Sequence, residues 1–402
     1  LQDWNLSRSR FWGIPLPIWR TEDAAEEICI GSVQQLHNEI EKSIAAGLMK
    51  KNPLPQICTS ENENSFDLHR PYVDDIVLVS DSGKPMKREL DLIDVWFDSG
   101  AMPLAQWHYP FENDSTFSQQ YPADFIAEGV DQTRGWFYTL MAIGTLVFDK
   151  SSYQTVLCLG HILDKDGRKM SKHLGNVLEP IPLMDKHGAD AVRWYMLAAG
   201  SPWSARRVGH DAISDVVRKT LLTYWNTVSF FTLYAKASNY TVSNEIFELS
   251  TMDKWIISEM NELTHAVDRA YANFDSQEVG KLISDFVDDL SNWYVRRSRR
   301  KFWDGELGAL STLYTCLKTL TLLMAPMVPF ITEHVWQKLI RTAEPQSNLS
   351  VHLENFPIAN ISLIDKELSS SVRLSRRLVE LGRAARAESK IKIRQPLSRA
   401  LV

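Results

Sequence analysis

The sequence predicts a mixed α/β part followed by an all-α part, and three observations carry that prediction. Up to about Pro182, short β-branched and aromatic runs alternate with turn residues. From about Asp185 onward, apolar residues recur at three- and four-residue intervals, the helical period. Close to the junction, a strand-like run leads into a turn and a lysine-bearing segment, Gly160 to His173. With 402 residues, 44% hydrophobic and 23% charged, the chain has material for two or three domains with substantial cores.

In the first part, strands are expected at residues 75–79, 124–126 and 155–159, and one helix over 132–148. That alternation suits half of a doubly wound sheet, where ligands bind beyond the carboxyl ends of the strands. Residues 128–132 and 161–172 would fall there, so the two segments are expected to face one site. Residues 21–88 are mixed and polar and read as an insertion. In the second part, Trp255, Met260, Leu263, Val267 and Ala270 form one core stripe, and Val279, Ile283, Phe286, Leu290 and Trp293 another. Leu310, Leu313, Leu317, Leu320 and Met324 form a third, which Pro326 would end. Pro329 suits the first turn of a further helix reaching Ile340. Short connections between such helices predict an antiparallel bundle.

The chemistry concentrates at the junction. Residues 153–159 read as a strand and Asp166-Gly167 as a turn, so Lys169 and Lys172 sit at a strand's exit. Compact ammonium charges there can follow a triphosphate as its α-phosphorus becomes five-coordinate and pyrophosphate begins to leave. Alone, the Lys-x-x-Lys spacing favours a solvated surface loop, since charge runs are usually just exposed. Glu128, Asp131 and Gln132 suit an acid–base pair, while Asp131 also suits the cap of the helix that follows. Trp96 and Trp136 are bulky aromatics in polar segments and, taken alone, read as packing the sheet. A cluster from Trp293 to Trp303 mixes aromatics with Arg296, Arg297, Arg299, Arg300 and Lys301; a second basic stretch holds Arg383, Arg386, Lys390, Lys392 and Arg394. Trp293 continues a core stripe, so it reads as packing, while the arginines suit phosphate contacts or ion pairs.

Composition excludes several classes. Cys29, Cys58, Cys158 and Cys316 are scattered, without metal-ligand spacing or a disulfide framework, which argues for a reducing compartment. No apolar run reaches the roughly 20 residues that span a bilayer, and no signal segment opens the chain. The expectation is a cytoplasmic protein that makes no membrane contact. The net charge of −6 means that any nucleic-acid contact rests on local basic patches.

Lys169-Met170-Ser171-Lys172 resembles the Lys-Met-Ser-Lys-Ser loop of class I aminoacyl-tRNA synthetases, with Gly160-His161-Ile162-Leu163 before it and Leu174-Gly175-Asn176 after it. It departs at His173, where the family usually has Ser. Segments 94–100, 128–137, 3–8 and 12–17 are similar to the isoleucyl branch, as are Trp293 to Arg297 and Arg394 to Leu397. The resemblance covers essentially the whole chain. The His-Ile-Gly-His signature and the editing insertion are absent, so the chain reads as a C-terminal fragment of a longer enzyme.

The resemblance implies the α/β half of a Rossmann-like catalytic domain followed by an all-α anticodon-binding helical bundle. It divides the chain into 1–20 with 89–184 as the second half of the catalytic domain, 21–88 as its insertion, 185–209 as a stem-contact region and 210–402 as the anticodon-binding domain. The implied function is isoleucine–tRNA ligation: L-isoleucine is activated with ATP and Mg2+ to Ile-AMP and passed to tRNA(Ile), in a monomer whose remaining N-terminal part is the fragment's partner. The isolated fragment is expected to be inactive. In the roles so implied, Lys169, Ser171 and Lys172 are catalytic; Glu128, Gly129, Asp131, Gln132, His161 and Leu163 bind ATP or adenylate. Trp96 and Trp136 wall the isoleucine pocket, Arg296, Arg297, Arg383 and Arg386 contact tRNA, and no zinc site is expected. An apolar pocket excludes a substrate one methylene smaller by only about 1–3 kcal/mol, a limit for which isoleucyl enzymes are themselves the standard example. A valyl-type enzyme, a non-catalytic tRNA-binding module and another nucleotidyl transferase are the alternatives.

Overall fold

The computed structural model describes residues 3–54, 66–243, 245 and 247–399. They form two compact units, Leu1–Val156 and Leu157–Val402.

In the first unit, residues 18–88 build a small body with its own core. The antiparallel strands Glu27–Cys29, Ile18–Thr21, Pro85–Arg88 and Val77–Val79 lie in that order. Register places Trp19 opposite Arg88 and Thr21 opposite Met86, so the chain leaves and returns on adjacent strands. The helix Val33–Ala45 starts on Ser32, whose side chain accepts from Gln35 N. Its Leu36 and Ile40 pack with Trp19, Ile76, Leu78 and Met86. The strand expected at 75–79 is shorter, because Tyr72–Asp75 close a 3-10 turn before Val77. At the Ser80 to Gly83 turn, the Ser80 and Ser82 hydroxyls both donate to Glu26, and Lys84 pairs with Asp23 at 2.6 Å.

The rest of this unit carries the strand Ala123–Gly129 and the helices Val95–Ala105 and Trp136–Phe148. The helix expected over 132–148 begins only at Trp136. Val130–Arg134 form a 3-10 turn instead, and Gly135, at φ −135° and ψ −113°, breaks the helical path between them.

The second unit is helical apart from the end of the strand Tyr153–Leu159 and the short parallel pair Ile162–Leu163 with Arg206–Arg207. One core runs through it from Leu183 to Val351. All three predicted stripes point into that core, with Leu310, Leu313, Leu317, Leu320 and Met324 fully buried; Trp293 alone is only partly covered. The helix Leu307–Met324 ends two residues before Pro326, and Pro329 opens Pro329–Val335, which Trp336–Ile340 continue as a π-helical turn. Leu307–Met324 is long and apolar enough to cross a membrane, yet most of its residues are buried here. Of the cysteines, Cys29, Cys158 and Cys316 are free, and Cys58 lies outside the described residues.

Candidate functional site

The site residues fall in both units, and each half has its own geometry. In the first unit, the buried Asp94 starts the helix Val95–Ala105 by accepting from Trp96 N at 3.4 Å. Its other oxygen accepts from Trp4 Nε1 at 2.9 Å and pairs with Arg8 at 2.7 Å. Asp94 is thus a structural anchor, and Trp4 and Arg8 serve it. Asp98, one turn on, lies beside an apolar cavity of about 520 Å³ lined by Ile14, Trp19 and Met102. Burial, then the charge of Asp94, pushes its carboxyl up from the usual range.

Trp136 Nε1 donates to the Ser99 carbonyl at 3.0 Å, tying Trp136–Phe148 to Val95–Ala105. At Gly100 a Cβ would stand 2.9 Å from the Thr139 backbone, so the helices touch where the side chain is missing. Gly135 has a similar role: a Cβ there would meet Trp96 at 3.0 Å and Gln132 Oε1 at 2.6 Å. Trp96, Gln132, Gly135 and Trp136 therefore converge, with Trp96 38% exposed.

The capping expectation at Asp131 is corrected. Gln132 Oε1 accepts from Trp136 N at 3.0 Å and satisfies the helix start. Asp131 instead folds back over Gly129, where a Cβ would lie 2.6 Å from Oδ1, and accepts from Gln132 Nε2 at 3.3 Å. Glu128 is exposed and, among the described residues, has no hydrogen bond or ion pair. Among the described residues no hydrogen bond joins the Glu128 carboxylate to the Asp131 one.

In the second unit, the parallel pairing has Arg206 N donating to the His161 carbonyl and Val208 N to the Leu163 carbonyl, each at 2.9 Å. The His161 side chain is left exposed. The chain then turns tightly over Asp164 to Gly167, which sits at φ +84°, and returns so that Lys169 bridges Leu163. Arg168 is paired with Asp164 at 3.4 Å and Asp166 at 2.9 Å, and Lys165 with Asp166 at 3.0 Å. By contrast, the exposed ammonium groups of Lys169 and Lys172 have no partner among the described residues. Met170 between them packs against the helical core and roots the loop. Ser171 accepts from Leu174 N at 3.2 Å, and Gly175 at φ +61° ends that short turn.

Sequence reasoning assigned no role to Asp164 or Asn176. The buried Asp164 accepts from Asp166 N (3.0 Å), Arg168 N (2.7 Å) and Asn176 Nδ2 (2.8 Å). Asn176 Nδ2 also donates to the Lys169 carbonyl at 3.2 Å, and its Oδ1 accepts from Ser171 N at 2.9 Å. The hydrogen bond from Asn176, then those from the backbone, hold the Asp164 carboxyl below the usual range. The Asp-x-Asp-Gly turn signal marks Asp164 locally; its partner twelve residues on is marked only as the end of the Leu174-Gly175-Asn176 segment.

The Trp293 to Trp303 segment is mostly engaged, whereas in the second basic stretch only Arg386 has a side-chain partner among the described residues. Arg297 lies 6.0 Å from the Trp293 ring centroid, Arg299 5.8 Å from that of Trp303, and Lys301 pairs with Glu306 at 2.9 Å. Arg386 Nη1 donates to the Lys392 and Gln395 carbonyls at 3.1 and 2.7 Å. Arg296 and Arg383 are exposed and unpartnered among the described residues.

Residues 1–207 match the family described as "tRNA synthetases class I (I, L, M and V)", and residues 253–401 match "Anticodon-binding domain of tRNA ligase". The first match takes in more than half the chain. The chain belongs to the class I tRNA synthetase family: an α/β catalytic part followed by a helical anticodon-binding part. Over its whole length it is 55% identical to a protein of Streptomyces avermitilis and 52% to one of Cutibacterium acnes, both named isoleucine–tRNA ligase. A Bacteroides fragilis protein of that name is 51% identical over 99% of the chain. The chain spans about 37% of the length of the first two and 36% of the third. The fold is shared with the agnB2 LeuRS of Agrobacterium radiobacter K84, solved as a ternary complex with tRNA and LeuAMS. That likeness has a TM-score of 0.65 at 21% identity and covers 91% of this chain and 43% of that one.

Proposed function

We propose that the protein carrying this chain is an isoleucine–tRNA ligase. A carboxylate oxygen of L-isoleucine attacks the α-phosphorus of ATP, supplied as its Mg2+ complex; the bond to the β-phosphate breaks, and pyrophosphate leaves Ile-AMP. The terminal ribose hydroxyl of tRNA(Ile) then attacks the isoleucyl carbonyl and AMP departs. The observation that carries this reading is the pair of ammonium groups at Lys169 and Lys172, unpartnered among the described residues, in a loop where Lys165 and Arg168 are paired with Asp164 and Asp166. Preorganised charge of that kind stabilises a leaving pyrophosphate without reorganisation. The attacking carboxylate is already ionised near neutral pH, so no general base is needed.

The remaining assignments follow from that reading. Trp96 and Trp136 border the isoleucine side chain; Glu128, Gly129, Asp131, Gln132, His161 and Leu163 bind the adenylate, with Ser171 completing the loop. Residues 1–20 and 89–184 supply the second half of the catalytic domain around the insertion 21–88, 185–209 meet the tRNA stem, and 210–402 read the anticodon arm. Exposed Arg296 and Arg383 are better placed for tRNA phosphates than Arg297 and Arg386, which are engaged. The protein works as a cytoplasmic monomer. In the full-length protein, ATP–pyrophosphate exchange should depend on isoleucine and favour it over valine by about 10–200-fold in kcat/KM. A preference for valine would make it a valyl-type enzyme, and no amino-acid-dependent exchange would leave a tRNA-binding module.

A further inference from the structure

We propose that Asp164 and Asn176 are positioning residues that latch the two ends of the Lys169 to Lys172 loop together, so that both ammonium groups are presented as one preorganised pair. The proposal rests on the functional reading above. It also rests on a geometry that a solvated loop has no need of. A buried carboxylate makes three hydrogen bonds, two to backbone N–H groups before the lysines and one to the amide of Asn176 after them. That amide takes hold of the segment between by its own backbone, from Ser171 N and to the Lys169 carbonyl. With Met170 seated on the helical core, these hydrogen bonds hold the backbone on either side of each lysine, while the ammonium groups have no partner among the described residues.

The latch also explains the pairing of the other cations. Arg168 lies against both Asp164 and Asp166, which fills the acidic positions that would otherwise attract Lys169 or Lys172. Catalysis by fixed charge depends on that charge being in place before the pyrophosphate develops its own. Asn176 touches no reacting atom in this scheme; it acts through the lysines.

The test compares Asn176→Ala and Asn176→Asp with the unmutated full-length protein. Asn176→Asp keeps the acceptor for Ser171 N but sets a carboxylate against Asp164 and the Lys169 carbonyl. In ATP–pyrophosphate exchange, kcat should fall about tenfold or more in both variants, the scale of losing bonds to one buried polar group. KM for isoleucine should stay within about twofold, because the latch holds phosphate-facing groups. Limited trypsin digestion, which cuts after Arg168, Lys169 and Lys172, should nick both variants several times faster, with unchanged melting temperature of the helical unit. Faster nicking with unchanged kcat would overturn the positioning role, and so would unchanged nicking. A loss confined to isoleucine KM would overturn it too. If the unmutated protein shows no isoleucine-dependent exchange, the functional reading fails, and the catalytic part of this proposal with it, whatever the nicking shows.

Discussion

The loop from Asp164 to Asn176 and the helical segment from Asp289 to Trp303 are both rich in cations, yet they use them in opposite ways. In the loop, two carboxylates are taken up by Lys165, Arg168 and the backbone, and Lys169 and Lys172 are unpaired among the described residues. In the helical segment, Arg297 and Arg299 lie over tryptophan faces and Lys301 is paired. Arg376, from the helix Lys366–Glu388, pairs with Asp289 and lies 5.4 Å from the Trp293 ring centroid. Cation density in a sequence therefore does not measure available charge. The positions of the carboxylates and aromatics decide it.

The comparison predicts that engaged cations hold the fold and unpaired ones do not. Arg376→Ala strands Asp289, whose carboxyl is largely buried, and should destabilise the helical unit by about 2–4 kcal/mol. Lys169→Ala should change stability by less than about 0.5 kcal/mol. Thermal unfolding followed by circular dichroism measures both, and equal effects would break the comparison.

A smaller effect concerns RNA. Arg383→Ala removes an unpaired charge, so the plot of log affinity for tRNA against log salt should flatten by about 0.9. Arg297→Ala, which strips a cation from Trp293, should leave that slope unchanged. Filter-binding titrations over a salt series distinguish them, and a flatter slope for Arg297→Ala would show that ring contact does not occupy its charge.

A further effect is a pH dependence. Burial pushes the Asp289 carboxyl up from its ordinary 3.8 to about 6, against the pull of Arg376. The folded state thus holds this proton longer than the unfolded chain does. The contribution from protonated Asp289 is complete below about pH 4 and is lost as pH rises through about 6. Asp289→Asn should remove that part of the stability profile. An unchanged profile between pH 4 and 6 would mean that Asp289 stays ionised throughout.

How much of this was legible in the sequence follows from the range of the interactions. The stripes through Trp255, Val279 and Leu310 were legible because a helix writes its buried face at a fixed local period. The sheet of residues 18–88 was not, since its strands have three or four residues and Ile18–Thr21 finds one of its two partners at the distant Pro85–Arg88. The break at Gly135 was hidden because a lone glycine is tolerated within a helical pattern; the Gln132 cap and the Trp96 ring that require it come from a turn and another helix. The lysines were legible as a motif. What leaves them unpaired was not, because Asp164 reaches Asn176 across the loop.

The most direct test of the central claim, that unpaired charge makes this loop a pyrophosphate site, is single-turnover formation of Ile-AMP by full-length protein, comparing Lys172→Ala with Arg297→Ala. The claim predicts a fall of about 10²–10³ in the rate for Lys172→Ala with isoleucine binding nearly unchanged, and less than a twofold change for Arg297→Ala. Equal losses in the two variants, or a Lys172→Ala defect confined to isoleucine binding, would contradict it.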